Sequence, residues 1–191
     1  PSVTKPPSVR GAASAGPRSK KAESEGRTIV FVDEAALYLL PGVIRTYAPC
    51  GDTPILHAPL TRDHLSLMGG ITPDGRIFHR ALPHSVKGED AVSFLRHLVR
   101  HLGRVLVIWD GLPAHRSKVV KQYLQEEAQG RVWLERLPGY APDLNPEEGI
   151  WKHLKLVELV NVCCRVTGEL RVEYRRAVER LRHKRDVIRG C

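Results

Sequence analysis

No apolar run in this 191-residue chain approaches the roughly 20 residues that cross a bilayer, and its Pro/Ser/Lys-rich start lacks the hydrophobic segment of a secretory signal. Both absences point to a soluble, cytosolic protein with no membrane partner. Cysteine is scarce: Cys50, the adjacent Cys163-Cys164 and Cys191, with no Cys-x-x-Cys spacing. Adjacent cysteines rarely chelate one metal or bond each other, which argues against zinc ribbons and disulfide scaffolds and predicts free thiols. His57, His64, His79 and His84 show no metal-ligand spacing and read as surface or loop residues. Acidic residues are also in deficit, 21 against 30 Lys and Arg, for a net charge of +9. The excess lies at the ends: residues 1–26 carry +3 and residues 165–191 carry +5, leaving +1 for everything between. Basic ends around a near-neutral middle fit a polyanion binder that also concentrates carboxylates in one place.

Residues 1–26 are rich in Pro, Ser, Ala and Gly without hydrophobic period and read as a flexible linker or tail. Residues 27–191 are long enough for one domain with a substantial core. Thr28 to Leu40 opens it with a continuous β-branched and aromatic run, ended by Asp33, as expected of a central strand. Two short runs around Thr72-Pro73-Asp74-Gly75 predict an antiparallel hairpin. Gly88 to His101 has helical spacing and Gly103 to end it. Val105 to Trp109 reads as a buried strand ending at Asp110, Arg116 to Glu127 as a helix, and Arg131 to Glu135 as a strand. Thr167 to Arg189 reads as a basic C-terminal helix, with Leu170, Tyr174, Ala177, Val178 and Leu181 on its apolar face. The order βββ-α-β-α-β-α is that of a ribonuclease H-like α/β fold, a mixed five-stranded sheet flanked by helices.

One stretch organises the rest: Leu137 to Lys155, LPGYAPDLNPEEGIWKHLK. A turn-rich loop switches at Asn145-Pro146 into a helix, with Asn145 suited to the N-cap and Pro146 to the first helical position. Glu148 lies three residues after Asn145, so it can serve as the acid of a capping box. It can equally serve as a third carboxylate beside Asp33 and Asp110, each at the end of a strand-like run. Two acids from strands and one from a helix can converge on divalent ions, for which carboxylates are suitable hard ligands.

The segments FVDE, VIWDGLPAH and LPGYAPDLNPEEGIWKHLK together resemble the catalytic core of DDE transposases of the mariner superfamily. The closest likeness is to the bacterial insertion-sequence branch, whose last motif reads approximately LPxYSPxLNPIExxWxxLK. The resemblance covers roughly Thr28 to Lys155. It implies metal-dependent strand cleavage at transposon ends and transfer of the freed 3′-hydroxyl into target DNA. Asp33, Asp110 and Glu148 would hold Mg²⁺ or Mn²⁺, with two ions about 4 Å apart activating the nucleophile and stabilising the leaving oxygen. Asp33 would bridge the ions. Glu34, His115 and Glu147 are candidates for orienting those ligands from behind, and Glu147 is also a rival ligand. Helix geometry points Glu147 and Glu148 about 100° apart, so one of them faces the site. Arg116, Lys118, Lys121, Lys152 and Lys155 are candidate DNA-phosphate contacts.

The resemblance further implies double-stranded DNA as partner, a homodimer in the synaptic complex, and a cytoplasmic, nucleoid-associated bacterial protein. Two departures stand out: Gly111 replaces the usual Asn after the second Asp, and Glu147 replaces an aliphatic residue before the third acid. Helix-turn-helix domains usual upstream in the family have no counterpart here, and the first residue is not Met, which points to a fragment. The competing readings are an inactive or domesticated DNA-binding fragment, and a related nuclease of the same fold.

Overall fold

A hairpin starts the sheet, and its turn is chemically fixed. Gly75 adopts φ +85°, the Thr72 hydroxyl accepts from Arg76 N–H (3.0 Å), and the same hydroxyl bonds Asp74. The computed structural model describes residues 17–45, 47–53, 55–138 and 144–191. Its strands are β1 (Thr28–Tyr38), β2 (His64–Ile71), β3 (Ile77–Leu82), β4 (Val105–Trp109) and β5 (Val132–Arg136). They form one sheet in the order β3-β2-β1-β4-β5. The first three pair antiparallel as a meander, and β4 and β5 add parallel to β1. This is the mixed five-stranded, ribonuclease H-like arrangement expected from the element order.

Alternation along β1 divides the core in two. Val30 and Val32 face α2 (Gly88–Leu102) and α3 (Lys118–Glu126), meeting Phe94, Leu95, Leu98, Val120 and Tyr123. Ile29 and Phe31 face the opposite layer, built from α1 (Pro17–Ser24), α4 (Glu147–His153), α5 (Thr167–Arg182) and α6 (Arg185–Gly190). Ala22, Ile150, Trp151, Leu154, Leu170, Tyr174 and Leu181 fill that side. The five apolar residues assigned to the C-terminal helix are all buried.

Several boundaries differ from the sequence expectation. The flexible tail does not extend to residue 26: residues 17–24 are helical, and residues 1–16 lie outside those described. The segment reads as polar because it docks through one alanine and its cations. Ala22 is fully buried, Arg18 pairs with Glu135 (2.8 Å), and the Arg27 guanidinium lies 3.8 Å from the Trp133 ring centre. β1 runs past Asp33 to Tyr38, because β2 continues to pair with it. Asp33 is therefore a mid-strand residue. Pro113 forces a 3₁₀ turn over Pro113–Arg116, and Ser117 then caps a shorter α3. The C-terminal helix divides at His183-Lys184 into α5 and α6.

Candidate metal-dependent active site

The mixed pairing of β1 places the acidic residues. The parallel β1–β4 ladder ends at Phe31 opposite Ile108. Two residues further along that register, Asp33 comes abreast of Asp110, which follows the last residue of β4. Phe31 lies in the Ile29 layer, and a two-residue step keeps the face, so Asp33 starts from that side, while Asp110 lies past the end of the ladder and its carboxylate meets His115. On its other edge Asp33 pairs with Gly69 of β2.

Helix α4 is fastened to this strand at two points. The Asn145 side-chain amide donates to Val32 O (3.3 Å), while its Oδ1 accepts from Glu147 N–H (3.2 Å). One turn later, the Trp151 indole N–H donates to Asp33 Oδ2 (3.0 Å). Buried Ile150 and Trp151 fix the roll of the helix, which leaves Glu148 on the exposed side. The helix starts at Glu147 with Pro146, not Asn145, at the N-cap position, and Asn145 bonds the first helical N–H from one residue further back. Among the described residues no hydrogen bond joins the Glu148 carboxylate to Asn145 N–H, so the capping-box arrangement is not made.

Asp33 feels this environment strongly. Burial, then the Glu148 carboxylate, push its pKa up to about 8; the Trp151 hydrogen bond opposes the shift, and Glu147 and Glu34 add to it. A cation at this position would relieve both the burial cost and the repulsion. The residues present therefore fit a divalent metal.

Glu34 points to the opposite face of β1 and meets His115, whose Nε2 lies 2.6 Å from Glu34 Oε1. His115 Nδ1 lies 3.0 Å from Asp110 Oδ1, and its ring stacks on Trp109 with centroids 4.0 Å apart. Asp110 Oδ1 also accepts from Leu112 N–H (3.0 Å). Burial alone would lower the His115 pKa, but the hydrogen bond and charge of Glu34, joined by Asp110, raise it on balance. A protonated His115 donates to the Glu34 carboxylate and to the Asp110 backbone carbonyl (3.3 Å), and its charge holds the Asp110 carboxylate beside it. Ligand atoms of Glu34, Asp110 and His115 all fall within 4.8 Å of one another, so this trio is itself a compact donor set.

Glu147 lies in the core, fully buried. Its Oε1 approaches His79 Nε2 at 2.9 Å, yet neither atom has an aligned hydrogen-bond partner among the described residues. Burial pushes the carboxyl up, with His79 opposing. His79 Nδ1 in turn lies 2.7 Å from the Tyr174 hydroxyl, and the imidazole meets Trp151 edge-on. His79 is thus a core residue of β3, a correction to its reading as a surface histidine; no spacing rule announces a histidine that pairs with an acid 68 positions away. A glycine is needed opposite: a Cβ at Gly69 would collide with Glu147 Oε1 and stand 2.7 Å from the Trp151 ring.

Arg116, Lys118 and Lys121 are exposed on the 3₁₀ turn and α3, Lys152 is exposed on α4, and Lys155 is half-buried in the π-helical turn Leu154–Glu158. A second basic region joins two arginines of the basic C-terminal stretch to residues that no sequence pattern connects with them. Arg80, Arg96, His97 and Arg100 line a cleft at the β3 edge, and Arg182 and Arg185 line its neighbour. Burial and the charges of His101, Arg100, Arg80 and Arg182 all depress the His97 pKa. These residues come from four elements, β3, α2, α5 and α6, so only the topology assembles the patch.

The chain is thus a mixed ribonuclease H-like sheet with Glu34, Asp110 and His115 gathered where β4 ends. The sequence profile of the DDE superfamily endonucleases matches residues 28–157, and the chain belongs to that family. Among solved structures, the Mos1 strand transfer complex superposes with a TM-score of 0.59 at 18% identity, over 97% of this chain and 61% of that one. The Mos1 mariner paired-end complex with Mn gives 0.57 at 18% identity, over 97% and 62%. The catalytic domain of Mos1 mariner transposase gives 0.54 at 14% identity, over 97% and 93%. This chain thus spans about three fifths of the transposase chains in the complexes and nearly all of the isolated catalytic domain. At these identities the likeness establishes the fold. No curated protein matches the chain. No helix among the described residues is long and apolar enough to cross a membrane.

Proposed function

We propose that this chain is the catalytic domain of a mariner-like transposase of the bacterial insertion-sequence type, cleaving DNA at transposon ends and joining the freed 3′-hydroxyl to target DNA. One observation carries the reading. Asp33 stands abreast of Asp110, is bonded to Trp151 of the helix bearing Glu148, and is electrostatically starved of positive charge. Asp33, Asp110 and Glu148 would hold two Mg²⁺ or Mn²⁺ ions. Bound there, such ions polarise the attacking and leaving oxygens of a phosphodiester. The chain's own residues prepare the site: Trp151 orients Asp33, His115 orients Asp110 with Glu34 behind it, and Asn145 ties the start of α4 to β1. Glu147 stays in the core beside His79. DNA would reach the acidic centre past Arg116, Lys118, Lys121, Lys152 and Lys155, with a homodimer pairing two ends in the bacterial nucleoid.

The loss of a side chain at Gly111 favours a second reading, a fragment that binds DNA without cutting it. Nicking of supercoiled plasmid in Mg²⁺ or Mn²⁺ separates the two. Nicking by the parent and its loss in Asp110→Asn is the expected result. DNA binding without nicking by the parent would establish the second reading instead.

A further inference from the structure

We propose that Arg136 binds a phosphate of the DNA strand at the acidic centre, in space that Gly111 leaves open. The inference rests on the reading of that centre as DNA-cleaving. Gly111 directly follows Asp110, and a Cβ built on it would lie 2.5 Å from both Cζ and Nη2 of Arg136 and just as close to Nε. Near-equal distances to Nε, Cζ and Nη2 put that position above the Nε–Nη2 edge of the guanidinium. The guanidinium therefore packs against the glycine along that side, on an exposed residue. Any side chain at 111 would displace it.

The backbone under Arg136 is fixed. It closes β5 opposite Trp109, and Leu137 N–H donates to Trp109 O (2.8 Å). Among the described residues, Glu135 pairs with Arg18 (2.8 Å) and Asp110 with His115 (3.0 Å). Arg136 is exposed at the C-terminal end of the parallel strands, beside the position where Asp110 leaves the sheet. A cluster of acids repels the polyanion it must cut. A planar fork of donors on its rim offsets that repulsion and can grip two phosphate oxygens at once. The geometry also accounts for Gly111: the amide lost at that position is replaced by a cation reaching the same space from the next strand.

The test uses two readouts on the full chain. Binding of a short duplex is followed by anisotropy in EDTA across a salt series, and nicking of supercoiled plasmid is followed in Mn²⁺. Arg136→Ala should weaken binding by about tenfold at low salt and reduce the salt slope by about one, with nicking lowered and the melting curve unchanged. Arg136→Lys should keep the slope and lose part of the nicking rate. Gly111→Ala should reproduce the Arg136→Ala defect, and the double variant should be no worse than Arg136→Ala. An unchanged slope in Arg136→Ala overturns the proposal, as do additive effects of the two substitutions. If Arg136→Ala melts early, Gly111→Ala and Arg136→Lys decide. A parent that binds but never nicks ends the cleavage reading, while the EDTA series still judges Arg136.

Discussion

At the scale of single residues, two adjacent glutamates have opposite fates. Glu147 enters the core beside His79, and Glu148 stays exposed at the mouth, its charge acting on Asp33. Glu148→Gln is expected to lower nicking by more than about 100-fold, beyond the loss typical of groups that only support a ligand, without lowering the melting temperature. Glu147→Leu should retain nicking and melt no earlier than the parent, since among the described residues neither Glu147 oxygen has an aligned hydrogen-bond partner and leucine removes that desolvation cost. The reverse pattern would make Glu147 the ligand. The motif spacing marked Glu148 and the helical angle between the two glutamates allowed the distinction. Sequence could not reveal the His79–Tyr174 pairing behind Glu147, because it depends on which strand lies under α4.

At the scale of elements, α4 and β1 behave as one unit, joined through Asn145 and Trp151 and seated on Gly69. Gly69→Ala would drive a methyl into the Trp151 ring and Glu147, and should destabilise the fold by about 1–3 kcal/mol. It should also lower nicking beyond the loss of folded protein, because a displaced Trp151 releases Asp33; thermal melts and nicking at a permissive temperature measure both. Normal stability together with full activity would contradict this account of α4 seating. The strands were legible because buried runs such as Val105 to Trp109 leave few alternatives. Helix α1 was hidden because its anchor is one alanine and a set of cations around Trp133, which no hydrophobic period records.

At the scale of the whole molecule, the site ties stability to pH. Asp33 is raised to about 8 from an ordinary 3.8, so without metal its ionisation costs folding free energy increasingly as pH rises from about 4 to about 8. The raised pKa of His115 acts in the same direction, since its stabilising proton is lost as pH climbs through that value. The raised carboxyl of Glu147 adds to the trend. In EDTA the melting temperature should therefore fall between pH 5.5 and pH 8.5. Mn²⁺ should restore it mainly at the higher pH, where Asp33 is free of its proton, and Asp33→Asn should flatten the profile. A melting temperature independent of both pH and metal would remove the electrostatic argument for the centre.

The insertion of β4 beside β1 carries a consequence for how the protein is made. The carboxylates emerge from synthesis in the order Asp33, Asp110, Glu148, and the first meander can pair while the later ones are still missing. Not until residue 110 has crossed back to the first strand and the Asn145–Trp151 helix has closed over both can the acids meet. Such distant pairing forms late in folding. On the proposed function, a nascent or half-folded chain would be harmless to the DNA around it, and the capacity to cut would arrive with the last long-range contact.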